Sequence, residues 1–250
     1  MSYVCAEHLV KTYGTGAAAV RAVHDVNFDI EAGEFVSIMG ESGAGKSTLL
    51  SIMGAMNPPT SGRFVVNDID VYKLGSEKRT DFRREFIGFV FQSFHLASYL
   101  TVLENVMLPL TTVPTSRKEK RSLAEAALAQ VGLSGKEGRL PSQISGGEKE
   151  RVAIARAIVN DPPVVLADEP TGNLDSKTSH EIMALLQRLN RAGTTILMVT
   201  HSRDCAGYAE RSLMVTDGRL TEPDRDLLRV GNDLPFQPEP QDLCSDARYG

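Results

Sequence analysis

The chain has 250 residues, 42% hydrophobic and 24% charged, with a formal net charge of −5. That length supports a substantial core, one domain with a small subdomain being the natural expectation. The acidic balance argues against nucleic acid as a partner. No apolar run approaches the roughly 20 residues that cross a bilayer, and Met1 to Val10 lacks the basic start and apolar core of a signal peptide. Cys5, Cys205 and Cys244 are odd in number and scattered, which fits a reducing compartment better than a disulfide framework or a metal site.

In chain order, Val26, Phe28 and Ile30 alternate with Asn27, Asp29 and Glu31, a period of two that predicts a strand with one buried face. Phe35 to Met39 is a nearly continuous apolar run that stops at glycine, as a strand buried on both faces does. Gly45 to Met53 reads as a helix, so strand, glycine loop and helix open a parallel α/β unit. Ile87 to Phe91 is another short strand. From Ser93 to about Leu140 the signals turn helical, with capping-box spacing at Thr101/Glu104 and Ser116/Glu119. Leu123, Ala126, Ala127, Leu128 and Val131 mark the second helix, and Gly132 stops it. Ser145 and Glu148 repeat the box spacing ahead of a helix expected to reach about Asn160.

Val164 to Ala167 is a buried strand. Asp175 caps a helix that carries Ile182, Met183, Leu185, Leu186 and Leu189 on one face and ends at Gly193. Thr195 to Val199 is a further strand, and Leu213 to Thr216, Asp217-Gly218 and Leu220 predict a hairpin. The expected organisation is one domain over 1–222, its helical subdomain at about 93–160. The polar stretch 223–250, with four prolines, is expected to be poorly ordered or laid along a surface.

Gly40-Glu41-Ser42-Gly43-Ala44-Gly45-Lys46-Ser47-Thr48 matches G-x-x-x-x-G-K-[ST] in full. Glycines let backbone N–H groups turn inward around phosphate oxygens, and the following helix adds its positive end. Lys46 is expected to reach the β- and γ-phosphates and Ser47 to ligate Mg²⁺. Val164 to Ala167 runs into Asp168 and Glu169, two carboxylates at a strand end, where parallel sheets collect ligands. Asp168 is expected to hold Mg²⁺ and Glu169 to act as general base on water. Three positions are weaker when taken singly. Gln92, after the Ile87 to Phe91 strand, is a Mg²⁺ and γ-phosphate sensor or a solvated loop residue. His201, after the Thr195 to Val199 strand, is a phosphate or water partner or a structural histidine. Tyr13 either stacks on adenine or packs locally.

The ordered set resembles the nucleotide-binding subunits of ATP-binding cassette (ABC) transporters over Val4 to about Leu220: aromatic loop at Tyr13, Walker A at 40–48 and Q-loop at Gln92. The signature follows at Ile144-Ser145-Gly146-Gly147-Glu148, then Walker B through Asp168 and Glu169, the D-loop at Asn173-Leu174-Asp175 and the switch histidine His201. Phe91 to Leu96, Thr101 to Val106 and Glu169 to Ser176 look like the lipoprotein-release and macrolide-export ATPases. Cell-division and antimicrobial-peptide export ATPases share much of this pattern. The resemblance implies a P-loop ABC ATPase core of α/β class with an inserted α-helical subdomain and an N-terminal antiparallel β region. It implies ATP and Mg²⁺, held by Ser47, Gln92 and Asp168, and catalysis by Lys46, Gln92, Glu169 and His201.

It further implies a head-to-tail homodimer in which Ser145, Gly146, Gly147, Glu148 and Asp175 meet ATP bound to the other copy. Integral-membrane permease subunits with a large external domain are the implied partners, at the cytoplasmic face of the inner membrane. Phe94, Leu96, Tyr99 and Leu100 are the expected docking contacts. Three departures stand out: Ile144 for leucine, Lys149-Glu150 for two glutamines, and Ser202 for aspartate after the switch histidine. The charged pair is expected to tune the dimer interface or partner choice. The rival reading is a soluble ABC ATPase of DNA repair, chromosome structure or translation. Only Ser93 to Leu140 is available for an insert, without sustained heptads, and there is a single cassette.

Overall fold

A computed structural model of the chain describes residues 2–222. Cys244 and the tail expected over 223–250 lie outside the described residues. The chain opens with β1 (Val4–Tyr13) and β2 (Val20–Ile30), then β3 (Phe35–Met39) and α1 (Lys46–Met53). Next come β4 (Ser61–Val66), β5 (Ile69–Asp70), α2 (Ser76–Phe86) and β6 (Ile87–Val90). The helices α3 (Val102–Met107), α4 (Arg117–Gln130) and α5 (Gly146–Ile158) precede β7 (Val164–Asp168). The chain continues with α6 (Ser176–Arg191), β8 (Thr195–Val199), α7 (Arg203–Ala206), β9 (Arg211–Thr216) and β10 (Arg219–Thr221).

Two sheets result. The antiparallel sheet runs β2-β1-β4-β5, and the larger sheet runs β10-β9-β3-β8-β7-β6. In the larger sheet β9, β3, β8, β7 and β6 are parallel and only β10 is antiparallel. The expected hairpin therefore sits at one edge. Asp217 and Gly218 both have positive φ, 47° and 73°, the geometry whose twist matches flanking strands.

Period two distributes the central strands between two cores. Phe35, Val165, Ala167, Ile196 and Met198 pack with α5, α6 and the helices α3 and α4. Val36, Ile38, Val164, Leu166, Leu197 and Val199 pack with α1 and the antiparallel sheet. A parallel sheet covered on both faces has apolar residues at every position, which is why β3, β7 and β8 read as unbroken hydrophobic runs.

The helix caps follow the sequence with one exception. Thr101 and Glu104 close a reciprocal capping box. At α4, Ser116 accepts from the Glu119 amide, but the Glu119 carboxylate takes the Thr115 hydroxyl instead of returning to Ser116. Helix α5 stops at Ile158, short of Asn160. Helix α2 has no apolar stripe to detect: its eleven residues are mostly charged and Phe82 is its buried residue.

Candidate nucleotide site

Strand β3 delivers the phosphate loop. Gly40 has φ of 152°, and a Cβ there would lie 2.2 Å from the Val215 carbonyl oxygen. Gly45, with φ of 107°, caps α1, and its Cβ would lie 2.3 Å from the Ala22 carbonyl oxygen. These contacts require glycine twice and press the loop between β9 and β2. Lys46 is 8% exposed, and its ammonium donates to the carbonyls of Gly40 and Glu41 at 2.7 and 2.8 Å. An ammonium has three N–H donors, so one is left for a ligand oxygen. Gly45 provides no side-chain cap, so the first amides of α1 stay free for an anion.

A cleft of about 630 Å³ opens over this loop. Ser42, Gly43, Gly45, Lys46, Ser47 and Thr48 line one side, and Gln92, Asp168, Glu169 and His201 the other. Parallel pairing of β6, β7, β8 and β3 brings these four strand ends together. Gly40, Glu41 and Ala44 shape the loop without lining the cleft, and Tyr13 stands outside the lining at the end of β1.

Asp168 is partly buried. Desolvation first, and then the charge of Glu169, hold its carboxyl above the usual carboxylate range, with Lys46 pulling the other way. Glu169 has a left-handed φ of 49°, rare for a residue with a side chain, and its amide donates to the Val199 carbonyl. Its Oε2 lies 2.5 Å from Nδ1 of His201, and the carboxylate is far less exposed than the imidazole. The two residues that the sequence left 32 positions apart thus form one unit. The hydroxyl of Ser47 and the carboxylate of Asp168 offer hard oxygen donors at the cleft. Among the described residues no three His, Cys, Asp or Glu side chains gather as a self-sufficient metal cage. A small protein donor set completed by phosphate oxygens and water is what Mg²⁺ uses, so these residues fit that ion.

The signature segment is built separately. Ser145 caps α5: its hydroxyl accepts from the Glu148 amide at 3.3 Å, and the Glu148 carboxylate accepts from the Ser145 amide at 2.8 Å. Lys136 ion-pairs with Glu148 at 2.7 Å. That bond first, and then the Ser145 amide, hold the Glu148 carboxyl below the usual range. Ser145 and Gly146 are exposed, and none of Ser145, Gly146, Gly147, Glu148 or Asp175 lines the chain's own cleft. Gly147 has an internal reason to be glycine: its Cβ would lie 2.4 Å from the Thr178 methyl at the start of α6. Asp175 caps α6 through the Thr178 amide and hydroxyl, and Ser202 caps α7 through the Cys205 amide.

Residues between these motifs carry the links. Arg156, near the far end of α5, donates to the carbonyls of Phe94 and His95 at 2.6 Å each. Both of those residues have left-handed φ, 60° and 46°. Asn173 donates to the Gln92 carbonyl at 2.9 Å. One helix therefore starts at the signature and ends on the Gln92 loop. The sequence reading passed over Arg156; the available signal was an arginine flanked by the buried Ala155 and Ala157 in the apolar second half of the helix. The expectation for Lys149-Glu150 needs correcting. Glu150 is 1% exposed and cannot present itself to a partner. Its Oε1 has no hydrogen-bond partner, and burial pushes its carboxyl up to about 8, with Arg156 opposing.

A phosphate loop feeding a parallel sheet, with paired carboxylates across the cleft, defines a P-loop ATPase. The family model described as "ABC transporter" matches residues 23–172. An uncharacterized ABC transporter ATP-binding protein of Bacillus subtilis, YvrO, is 46% identical over 218 residues, covering 87% of this chain and 95% of that one. The macrolide export ATP-binding/permease protein MacB of Rhodospirillum rubrum is 41% identical over 228 residues, which is 91% of this chain but 35% of MacB. The dimeric post-hydrolysis structure of the ATP-binding cassette MJ0796 with ADP and Pi is 43% identical, with a TM-score of 0.80 over 88% of this chain and 98% of that one. The chain belongs to the ABC transporter ATP-binding family and is an ATP-hydrolysing subunit. Among the described residues no helix is long and apolar enough to cross a membrane.

Proposed function

We propose that two copies of this chain close head to tail over two ATP molecules and drive a permease of the lipoprotein-release, macrolide or peptide efflux type. The observation that carries this is the position of Ser145: a capped helix N-terminus, exposed and outside its own cleft. A helix N-terminus favours phosphate, and the one nearest Ser145 in the assembly is then the partner's. The dimeric cassette MJ0796 and the export protein MacB support the reading by similarity. The rival soluble ATPase finds no support in a helical insert of short helices.

Within each site Lys46 supplies positive charge to the phosphates. Ser47 and Asp168, with Gln92, would hold Mg²⁺, which neutralises phosphate charge when bound. Glu169 takes a proton from the attacking water as its oxygen bonds to the γ-phosphorus and ADP departs. His201, 2.5 Å away, keeps that carboxylate aimed. Tyr13 receives adenine. The permease docks beside the Gln92 loop, at Phe94, Leu96, Tyr99 and Leu100, none of which is fully buried and of which Tyr99 is 81% exposed. Such a permease carries a large external domain and holds the subunit at the cytoplasmic face of the inner membrane. Polar substitution of Tyr99 is expected to uncouple transport while leaving ATPase activity of the isolated subunit intact.

The test is Glu169→Gln with Mg²⁺ and ATP. Turnover is expected to fall at least about 100-fold, ATP binding to persist, and light scattering to report a dimer. A variant that binds ATP, does not turn it over and stays monomeric would sink the head-to-tail reading.

A further inference from the structure

The structure assigns to Asn57 and Lys11 the task of presenting one face of the Tyr13 ring to the base, which makes them positioning residues for adenine selectivity. This rests on the proposed role of Tyr13 as base platform. Tyr13 is 42% exposed and is the last residue of β1, paired with Val20 of β2. Its side chain is held by two contacts. The Asn57 amide donates to the Tyr13 hydroxyl at 2.8 Å. The Lys11 ammonium lies 5.1 Å from the ring centroid. The same ammonium donates to Asn57 Oδ1 at 2.7 Å and to the Pro58 carbonyl at 2.6 Å. Lysine, asparagine and tyrosine thus form a closed triangle in which each member fixes the next.

Two consequences follow from elementary chemistry. A cation over one face of an aromatic ring occupies that face and leaves the other for a flat ligand. It also draws electron density from the ring, which favours stacking on an electron-rich bicyclic base over a smaller pyrimidine. A tyrosine swinging through its rotamers pays an ordering cost when it stacks; one already clamped does not.

The anchor of the triangle matters as well. Asn57 stands just beyond α1, the helix whose first residues are Lys46 and Ser47. Its backbone N–H donates to the Ser51 carbonyl at 3.2 Å, and the Tyr72 hydroxyl reaches the carbonyls of Ile52 and Asn57 at 2.7 and 2.9 Å. Thr60 ties the following loop to β1 through Val10 and Thr12. A single rigid helix therefore separates the phosphate-binding loop from the loop that holds the base platform. Its length sets the distance between the two ends of the nucleotide site.

Equilibrium binding of ATP and of UTP, which share a triphosphate and differ in base, tests the assignment. Asn57→Ala is expected to weaken ATP about tenfold and UTP less than about twofold, the size of one lost hydrogen bond. Lys11→Met keeps the stem and is expected to lower the ATP-to-UTP preference about threefold. Asn57→Asp, which still accepts from Lys11 and accepts from the Tyr13 hydroxyl where asparagine donated to it, is expected to restore most of the preference. Equal weakening of both nucleotides, or of neither, overturns the positioning role. Tyr13→Ala separates the layers: if it abolishes the preference while Asn57→Ala does not, only the triangle fails. If Tyr13→Ala leaves the preference unchanged, the platform reading fails and takes this inference with it.

Discussion

Two helix N-termini in this molecule, those of α1 and α5, are the ones proposed to meet phosphate, and they are built differently. Helix α1 begins at Gly45 with no side-chain cap, inside a loop folded around a buried lysine. Helix α5 begins at Ser145, whose capping box with Glu148 already satisfies two backbone donors. The first keeps its amides and adds a full positive charge, which together suit an anion. The second offers fewer free donors, sits on the surface and lies outside the lining of its own cleft. On the proposed dimer reading, tight and permanent contact belongs to α1, and α5 makes the contact that must be released in each cycle.

Substitutions can break this contrast, beginning with the largest effect. Ser145→Arg places a bulky cation at the capped terminus. ATPase activity is expected to fall at least about 100-fold while ATP affinity of the monomer stays within about twofold. Collapse of monomer affinity would mean that α5 serves its own cleft. Gly45→Ala attacks the other terminus. A Cβ 2.3 Å from the Ala22 carbonyl cannot be accommodated without moving the loop, and a stability loss of about 3 kcal/mol is expected in denaturant titrations, with ATP binding weakened in parallel.

Glu150→Gln probes the middle of α5. The folded carboxyl sits at about 8 against an ordinary value of 4.5, so the native state holds a proton that the unfolded chain releases. Stability from that protonation is fully present below about pH 4.5 and is lost as pH rises through about 8. The amide removes this dependence. The variant is expected to be more stable by about 2 kcal/mol at pH 8 and by less than half that at pH 5. A gain equal at both values would show that the carboxyl is not the cause. Smallest is Ser116→Ala, which removes a one-way cap from α4 and is expected to cost about 1 kcal/mol. Ser145→Ala, which breaks a reciprocal box, is expected to cost more in the same melt, and equal losses would erase the distinction between the two caps.

Much of this site was legible because its signals are local. A phosphate loop is nine consecutive residues, and Asp168-Glu169 follow a short apolar run of the length and β-branched content of a buried strand. The capping boxes of α3 and α5 needed only a spacing of three. Helix α2 escaped because it buries one phenylalanine. Arg156 escaped because its partners are two carbonyls 61 and 62 positions away. Glu150 misled because a charged residue next to a surface motif is ordinarily solvated, and only the packing of α5 shows it to be interior.

By itself the sequence determined the local features: the phosphate-loop motif, the carboxylate pair at a strand end, the caps at which helices start. Those properties follow from residue type at short spacing, where covalent geometry leaves few choices. Tertiary structure decided the adjacency. It placed β3 between β8 and β9, set Glu169 against His201, turned Gly147 onto Thr178 and closed Lys11, Asn57 and Tyr13 into a triangle. Such contacts depend on the order of strands and the register of helices, which the burial of two apolar faces selects jointly and no local spacing encodes.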